Sequence, residues 1–284
     1  MKAPIGFAFA AGASAFHLPF TFTKRAEPCA SGLHMIVARG SNEEPGLGKI
    51  GVIAGNVSLV IPGSTSAAVD YPAAINNYAS SVQEGTTELL RMVREYHERC
   101  PGGKMALLGF SQGAHSMMDA VCGSSSAGFK KSTDLPDEFT DSIVAIVAYG
   151  DPTHSNNDTW NQGTSVNSGI FPRVNLTACE PYSDRIQGWC DTGDVYCDRG
   201  NNTRVHGSYF ANYTDVTVDY IVGKYNASLE TDGTTPTSTP TPTSSPGPST
   251  VGSSAAGLRS VGSPDVVLAG LVSLGLLAFG SLGL

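Results

Sequence analysis

The sequence predicts a single α/β domain, a three-layer sandwich in which a mostly parallel, five-stranded sheet lies between helices. Apolar segments of strand length alternate with helix-compatible segments. A Gly-Phe-Ser-Gln-Gly pentapeptide at 109–113 directly follows one of these apolar segments. Once both chain ends are set aside, roughly 200 residues remain, which suits one globular core. Alternating strands and helices imply right-handed crossovers and helices on both faces of the sheet.

Five segments have the apolar character and length of strands, the last of them weakly. They cover residues 34–38, 67–71, 105–110, 143–149 and 185–189. Residues 80–99 form the clearest helix, since Val82, Leu89 and Val93 belong to an apolar stripe opposite charged residues. After His206, a final helix is expected to run through residues 221–222. Sites in such folds form at the carboxyl ends of the strands.

Charge and composition exclude several classes of partner. The net charge is -8, and the Lys and Arg residues are scattered rather than clustered. Neither a nucleic-acid interface nor a patch for anionic lipids is therefore expected. Only 15% of the residues are charged, while Gly, Ser and Thr are abundant, a balance typical of secreted enzymes.

The first 25 residues are expected to be removed. Lys2 precedes an apolar stretch at 4–16 that includes small residues at 13–15, as in a secretory signal peptide with its cleavage site. A dibasic pair at 24–25 indicates a second cut, so that the mature domain covers residues 26–229. An exposed basic pair without processing is the alternative.

The C-terminal residues predict a linker and a membrane-anchor signal. Residues 230–252 are rich in Thr, Ser and Pro, and such a segment cannot bury enough apolar surface to fold. Residues 253–284 combine small residues, a polar spacer and an apolar tail, the signal for a glycosylphosphatidylinositol anchor at Ser253 or Ser254. An ordinary membrane helix is the alternative, but no Lys or Arg follows the tail.

The number of N-glycosylation sequons is consistent with an exported protein. Six Asn-x-Ser/Thr sequons lack a central proline. Their asparagines are Asn56, Asn157, Asn175, Asn201, Asn212 and Asn226.

The six cysteines favour disulfides over metal ligands in an exported chain. They are Cys29, Cys100, Cys122, Cys179, Cys190 and Cys197. Fifteen pairings are possible, although the segment between Cys190 and Cys197 is short enough to close on itself. No spacing typical of zinc ligands is present.

The pentapeptide predicts a serine nucleophile at Ser111. A sharp turn that lifts the serine oxygen above the sheet leaves no room for a β-carbon on either side, which explains both glycines. A serine hydroxyl needs a base oriented by a third group. Alone, the pentapeptide is a weak signal.

Among the six histidines, His206 is the best candidate for the base. It follows the loop between the last two cysteines and precedes the expected final helix. His154, after the fourth predicted strand, remains a minor candidate. His115 would point away from the serine, one helical turn on, and is expected to pack. The other three are expected to be structural, solvated or removed: His17, His34 and His97.

The acid is expected between the serine and the base in the sequence. Asp194 fits this order, and Asp191 in the same loop stays as an alternative. Asp70 and Asp151 are expected to be structural or rim carboxylates.

These residues together resemble the cutinase and acetylxylan esterase family of secreted fungal serine esterases, which are α/β-hydrolases. The resemblance extends from Cys29 to about Tyr225. It rests on Ala-Arg-Gly-Ser at 38–41, Val-Asp-Tyr-Pro-Ala at 69–73, the pentapeptide at 109–113, Cys-Asp-Thr-Gly-Asp-Val-Tyr-Cys at 190–197, and His206 followed by Tyr209.

The resemblance implies a role for each site residue. Ser111 would be the nucleophile, Asp194 the acid and His206 the base, with an oxyanion hole at Ser41 and Gln112. It also implies disulfides at Cys29–Cys100 and Cys190–Cys197, which leaves Cys122 and Cys179 to pair. Phe110 departs from the tyrosine more usual in the family and is expected to affect packing rather than chemistry.

The expected activity is hydrolysis of carboxylic esters through an acyl-enzyme, without a metal or organic cofactor. No insertion of the length of a lid is present, so Ser111 is expected to be solvent-accessible. Within the family, the motif at 69–73 and the Gly-Asp-Pro turn at 150–152 resemble the acetylxylan esterases more than the cutinases, which modestly favours acetylated xylan over cutin as the substrate. A monomer is expected. The alternative from another class is a catalytically inactive cell-surface protein that binds carbohydrate through a hydrolase fold.

Overall fold

A computed structural model describes residues 28–124, 128–231 and 233 of the chain. These residues all belong to the first of the two units into which the chain divides, Met1–Pro236. Three predicted features lie outside the described residues. They are the signal peptide and pro-segment at 1–25, nearly all of the linker at 230–252, and the anchor signal at 253–284 with Ser253 and Ser254.

Five parallel strands form one sheet in the order β2-β1-β3-β4-β5. The strands are β1 (Leu33–Ala38), β2 (Thr65–Ala68), β3 (Lys104–Phe110), β4 (Ile143–Tyr149) and β5 (Ile186–Trp189). The α-helices are α1 (Gly51–Val60), α2 (Tyr78–Arg99), α3 (Gln112–Cys122) and α4 (Thr203–Thr231). Two 3-10 helices cover Asp137–Phe139 and Thr177–Arg185.

The helices form a layer on each face of the sheet. Alternate residues of β1 point to opposite faces, as in any strand. Ile36 packs in the core that contains α2 and α3, whereas Met35 and Val37 pack in the core that contains α1 and α4. Every residue of the central strands β3 and β4 is buried because helices cover both of their faces. The predicted three-layer α/β fold is confirmed.

The second strand is displaced from its predicted position. It covers Thr65–Ala68 rather than 67–71. The Val69 N–H still donates to the Val37 carbonyl at 2.9 Å. Beyond it the chain leaves the sheet, because the Tyr71 carbonyl accepts a hydrogen bond from Arg39 instead of a strand partner.

The final helix begins earlier and ends later than predicted. His206 lies within its first turns rather than before it, since α4 starts at Thr203. The helix also includes residues 230 and 231, which the predicted linker contained. Its buried side chains, among them Ile221 and Tyr225, pack against the sheet. Among the described residues, no helix has both the length and the apolar character needed to cross a membrane.

Three disulfides join the cysteines in the expected pairs. Their partners are Cys29–Cys100, Cys122–Cys179 and Cys190–Cys197. The first closes a separation of 71 residues between the start of the domain and the end of α2, which would contribute about 4 kcal/mol in the chain-entropy model. The third closes a separation of only 7 residues at the carboxyl edge of the sheet, where its value is to stiffen a loop.

Candidate active site

Ser111 lies in a tight turn between β3 and α3, at the carboxyl edge of the sheet. Its φ and ψ are 54° and -119°, a conformation that non-glycine residues rarely adopt. Hydrogen bonds hold the turn on both sides. The Ser111 N–H donates to the Tyr149 carbonyl at 2.8 Å, and the His115 N–H donates to the Ser111 carbonyl at 3.0 Å. The serine side chain is partly exposed, in agreement with the expected solvent access.

The two glycines of the pentapeptide allow the turn to pack closely. A β-carbon on Gly113 would lie 2.1 Å from the Ala38 carbonyl oxygen. One on Gly109 would lie 2.7 Å from the Cα atom of Ala114. Both distances are far inside van der Waals contact, so any larger residue would push α3 away from the sheet.

Asp194 and His206 form a buried pair beside this turn. His206 donates from Nδ1 to Oδ2 of Asp194 at 2.8 Å. The Asp194 side chain is fully buried, and the imidazole is nearly so. Because one ring nitrogen is fixed by the carboxylate, the other nitrogen, Nε2, is the one available to take a proton.

Three further donors hold the Asp194 carboxylate. Tyr209 donates its hydroxyl to Oδ2 at 2.6 Å, and the Tyr196 and Cys197 N–H groups donate to Oδ1 at 2.7 and 3.1 Å. Burial alone would raise the pKa of Asp194, but the His206 pair, the Tyr209 hydroxyl and the Tyr196 N–H outweigh it and hold the pKa below its ordinary value. The acid is therefore charged and fixed in orientation.

Tyr209 belongs to the motif shared with the family, but the sequence alone does not indicate its contact with Asp194. Burial and the neighbouring Asp194 carboxylate raise the pKa of the Tyr209 hydroxyl well above its ordinary value. The hydroxyl therefore stays protonated and can donate. A tyrosine three residues after the base, one helical turn on, is the signal that could have indicated it.

Asp198 is a buried carboxylate close to Asp194 in the chain that sequence reasoning missed. It accepts hydrogen bonds from the Gly193 N–H at 2.7 Å and from the Ser165 hydroxyl at 2.6 Å. Its own N–H donates to the Asp194 carbonyl at 3.2 Å. Asp198 thus braces the disulfide loop that carries Asp194, and nothing in the sequence distinguishes it from a surface acid.

The His206 ring is enclosed by three neighbours. Its centroid lies 5.0 Å from that of Phe110 and 4.5 Å from that of Tyr196. A β-carbon on Gly150 would lie 2.7 Å from Cε1 of the ring. Phe110 therefore packs against the ring of His206 as well as within the core.

Ser111 and His206 both line a cavity of about 530 Å³. His206 Nε2 has no hydrogen-bond partner among the described residues, so the serine hydroxyl is not bonded to it in this structure. Such bonds are often long without substrate and tighten in the complex. The cavity wall is mixed in character. It includes Ser41, Tyr78, Phe110, Phe171 and Tyr196, with Ile75 and Ile170 partly exposed.

Of the two predicted oxyanion-hole residues, Gln112 directly follows Ser111 and Ser41 lines the same cavity as Ser111. Gln112 is the first residue of α3, where the backbone N–H has no partner within the helix. Its side chain is occupied elsewhere, since Nε2 donates to the Ala74 carbonyl at 3.0 Å and Oε1 accepts from the Ser81 hydroxyl at 3.1 Å. Ser41 lines the cavity in the loop after β1.

Arg39 fixes the loop that carries Ser41. Its guanidinium donates to the Glu43 carbonyl at 2.9 Å and to the Tyr71 carbonyl at 2.7 Å, and the Tyr71 hydroxyl donates to the Arg39 carbonyl at 2.5 Å. The sequence motifs at 38–41 and 69–73 therefore meet in space and brace one side of the cavity.

The alternative acids and bases lie elsewhere. Asp191 accepts hydrogen bonds from Tyr213 and Thr164 and makes none with His206. His154 pairs with Asp158 through Nδ1 at 2.8 Å, and neither lines the cavity of Ser111.

Three of the residues expected to be structural have side chains that do not line the cavity of Ser111. His115 is fully buried behind Tyr78, with its Nδ1 3.2 Å from the tyrosine hydroxyl. Asp151 is buried against Thr153, whereas Asp70 is exposed. None of the three is in position to act on Ser111.

The six sequon asparagines lie on the surface of the described domain. Five of them are exposed, and Asn56 is half-buried on α1. In the part of the chain that the structure describes, no group of three or more His, Cys, Asp or Glu side chains could hold a metal ion. A second cavity of about 540 Å³, between α2 and residues 129–133, contains none of the predicted catalytic residues.

Comparison with known proteins identifies the family. The family model described as Cutinase matches residues 29–225. The chain belongs to the cutinase family. The family fold is the one observed, since the catalytic core of an acetylxylan esterase from Trichoderma reesei superposes with a TM-score of 0.65 at 28% identity, covering 69% of this chain and all of that one.

Named relatives in the family are carboxylic ester hydrolases. Cutinase 11 of Verticillium dahliae is 31% identical over 211 residues, which are 71% of this chain and 71% of that protein. Acetylxylan esterase 2 of Talaromyces purpureogenus is 29% identical over 223 residues, 75% of this chain and 94% of that protein. The predicted family membership is thus confirmed, and the family supports an esterase.

Proposed function

We propose that this protein is a secreted serine esterase that hydrolyses carboxylic esters through an acyl-enzyme on Ser111. One observation carries the proposal. Asp194 fixes His206 through Nδ1, while Nε2 has no partner among the described residues and the ring lines the cavity of Ser111. This arrangement supports the roles of nucleophile for Ser111, base for His206 and orienting acid for Asp194.

The reaction proceeds in two halves. His206 Nε2 takes the proton of Ser111 as its oxygen attacks the ester carbonyl, and the resulting imidazolium gives that proton to the leaving alcohol. Water then attacks the acyl-enzyme, with His206 again taking the proton, and the carboxylic acid leaves. Asp194 stays ionised throughout and stabilises the imidazolium. These steps use no metal and no organic cofactor.

The Gln112 N–H and the Ser41 N–H and hydroxyl stabilise the tetrahedral intermediate. Its negative oxygen forms at the start of α3, where unpaired N–H groups and the helix dipole favour an anion. Because the Gln112 side chain is held by the Ala74 carbonyl and Ser81, the backbone donor is fixed before substrate binds. Removing one such donor typically costs roughly 3 kcal/mol of barrier.

Ser111→Ala tests the nucleophile. We expect kcat/KM for p-nitrophenyl acetate to fall by on the order of 10⁴-fold or more. The Tm should stay within about 2 °C, since only one partly exposed oxygen is lost. Ser80→Ala, an exposed serine on α2, is the control and should keep full activity. A wild-type protein without esterase activity would instead support the inactive carbohydrate-binding alternative.

Acetylated xylan is the first choice of substrate. The motifs at 69–73 and 150–152 and the long matches to acetylxylan esterases support it. The partly exposed Ile75 and Ile170 at the cavity wall favour the second choice, an apolar polyester such as cutin. Acetate release from acetylated xylan, compared with p-nitrophenyl butyrate and longer esters, tests the order. Strong activity on long acyl esters with none on acetylated xylan would reverse it.

We assign the chain ends to export and anchoring. Residues 1–25 would be removed, residues 26–229 would form a monomeric catalytic domain, and residues 230–252 would link it to an anchor at Ser253 or Ser254. The N-terminal residue of the mature protein tests the first cut and should be Ala26. Release from intact cells by a phosphatidylinositol-specific phospholipase C tests the anchor, which such treatment should cleave.

A further inference from the structure

Helix α1 is apolar on its outer face as well as on its inner face. Its inner residues Ile53 and Val57 are fully buried in the core. On the outside, Val52, Leu59 and Val60 are exposed to 45%, 83% and 56%. A helix that is apolar all round is ordinarily buried. We therefore expect another group to shield this outer face from water.

Asn56 is the polar group at the centre of that outer face. The helix sequence contains no charged residue, and its only polar side chains are Asn56 and Ser58. Ser58 turns its hydroxyl back to the Ala54 carbonyl at 2.8 Å. At 100° per residue, Asn56 lies between Val52 and Val60 and within one turn of Leu59. It is also the acceptor of the sequon 56–58.

We propose that an N-linked glycan on Asn56 covers the exposed apolar face of α1. This inference rests on the proposed secretion, because the transfer needs an oligosaccharide linked to a lipid diphosphate. The amide nitrogen of Asn56 attacks the anomeric carbon and gives up a proton to a base of the glycosyltransferase that catalyses the step. A C–N bond forms as the C–O bond to the diphosphate breaks, and the lipid diphosphate leaves with the electron pair. The attached sugars are bulky and hydrated, and they lie over the neighbouring side chains.

Helix α4, which packs beside α1, provides a matched comparison. Asn226 is also an exposed sequon residue on that side of the sheet. The outer face of α4 around Asn226 carries the exposed charged residues Asp219 and Glu230. This face is therefore polar without a glycan. A glycan at Asn226 should therefore matter little for solubility, whereas one at Asn56 should matter much.

The test uses the full chain secreted from a eukaryotic host, with glycopeptide mass spectrometry at each sequon. Asn56→Gln and Ser58→Ala both remove the sequon, Ser58→Thr keeps it, and Asn226→Gln is the matched control. We expect Asn56 to be occupied. Losing its sequon should raise the binding of a hydrophobic dye about threefold and produce concentration-dependent association, because an apolar patch becomes exposed. Ser58→Thr and Asn226→Gln should behave as wild type.

A rescue variant separates the apolar face from other effects of the glycan. Adding Leu59→Lys to Asn56→Gln should return dye binding and association to wild-type levels. Esterase activity should be unchanged in all of these variants, since α1 contributes no residue to the cavity.

Several results would overturn the proposal. One is an unoccupied Asn56 while other sequons carry glycans. Another is unaltered dye binding in Asn56→Gln. A third is a glycosylated wild-type dimer that Leu59→Lys dissociates, since a second copy of the chain would then cover the outer face of α1. If no asparagine carried a glycan, the proposed secretion would fail as well, and the activity assay would still report on the esterase separately.

Discussion

Two histidine–aspartate pairs of this protein have the same local geometry and different surroundings. In each, Nδ1 lies 2.8 Å from a carboxylate oxygen, in His206–Asp194 and in His154–Asp158. In each, the opposite ring nitrogen is buried without a hydrogen-bond partner among the described residues. Only His206 shares a cavity with Ser111.

The comparison illustrates that an oriented imidazole also needs a nucleophile in the same cavity before it can act as a base. His154 and Asp158 are four residues apart in one loop, so a local turn is sufficient to pair them. Asp194 and His206 are brought together by a disulfide loop and the first turns of α4. That arrangement places the ring at the carboxyl edge of β3, where the serine is presented.

Asparagine substitutions at the two histidines should have the most different effects on activity. His206→Asn should lower kcat/KM for p-nitrophenyl acetate by on the order of 10⁴-fold, because the serine loses its base. His154→Asn should keep activity within about tenfold and lower the free energy of unfolding by about 1–3 kcal/mol, since a buried hydrogen-bonded group changes. Ester hydrolysis and denaturant unfolding measure both. Comparable losses of activity in the two variants would contradict the assignment of the base.

A smaller effect is expected from the tyrosine that supports Asp194. Tyr209→Phe removes the 2.6 Å hydrogen bond from the tyrosine hydroxyl to the Asp194 carboxylate. Hydrogen bonds to charged groups contribute about 1.5–3 kcal/mol to stability. We expect kcat to fall about tenfold with little change in KM. Tyr213→Phe removes a similar bond to Asp191 and is the control. An equal loss of kcat in the control would mean that Tyr209 acts only through stability.

The smallest expected effect concerns acid stability. The folded-state pKa of Asp194 lies below its ordinary value of 3.8. The stability that its ionised form contributes is therefore present above pH 3.8 and is lost as the pH falls through the lower, folded-state pKa. Asp194→Asn should flatten this part of the profile when the free energy of unfolding is measured between about pH 5 and 2. A variant with the wild-type slope in this range would show that Asp194 is not the group responsible.

Much of the fold could be predicted because the central strands leave a clear pattern. The strand β4 lies at 143–149, as predicted, and β3 differs by one residue at its start. Both are buried on two faces, so their sequences are apolar throughout. Edge strand β2 is harder, because its residues are small and partly exposed. The larger apolar side chains in the predicted strand, Val69 and Tyr71, belong to the segment that follows β2.

Helix α1 shows the limit of periodicity. Two glycines and several β-branched residues lower its helix propensity. Apolar side chains on both faces leave no amphipathic stripe, so no pattern distinguishes it from a strand or loop. The sequence predicted helices between the strands in general but gave no boundaries for this one.

The candidate site was predictable as a set of residue types but not as a network. Spacing and family resemblance indicated the three proposed catalytic residues and the proposed oxyanion-hole residues. The choice between Asp194 and Asp191 depends on which carboxylate faces the imidazole, and the structure brings only Asp194 to it. The contacts of Phe110 and Asp198 depend on long-range packing, which has no local signature.

Helix α4 runs from the carboxyl edge of the sheet to its amino edge. Its first turns carry His206 at the cavity, whereas Thr231 at its last turn shares a surface cleft with Lys104 and Ile143, the first residues of β3 and β4. The 29 residues of the helix span about 43 Å, from the carboxyl edge of the sheet to the amino edge. Thr231 therefore lies at the edge of the sheet opposite the cavity of Ser111, so the chain leaves α4 on the side of the domain away from that cavity.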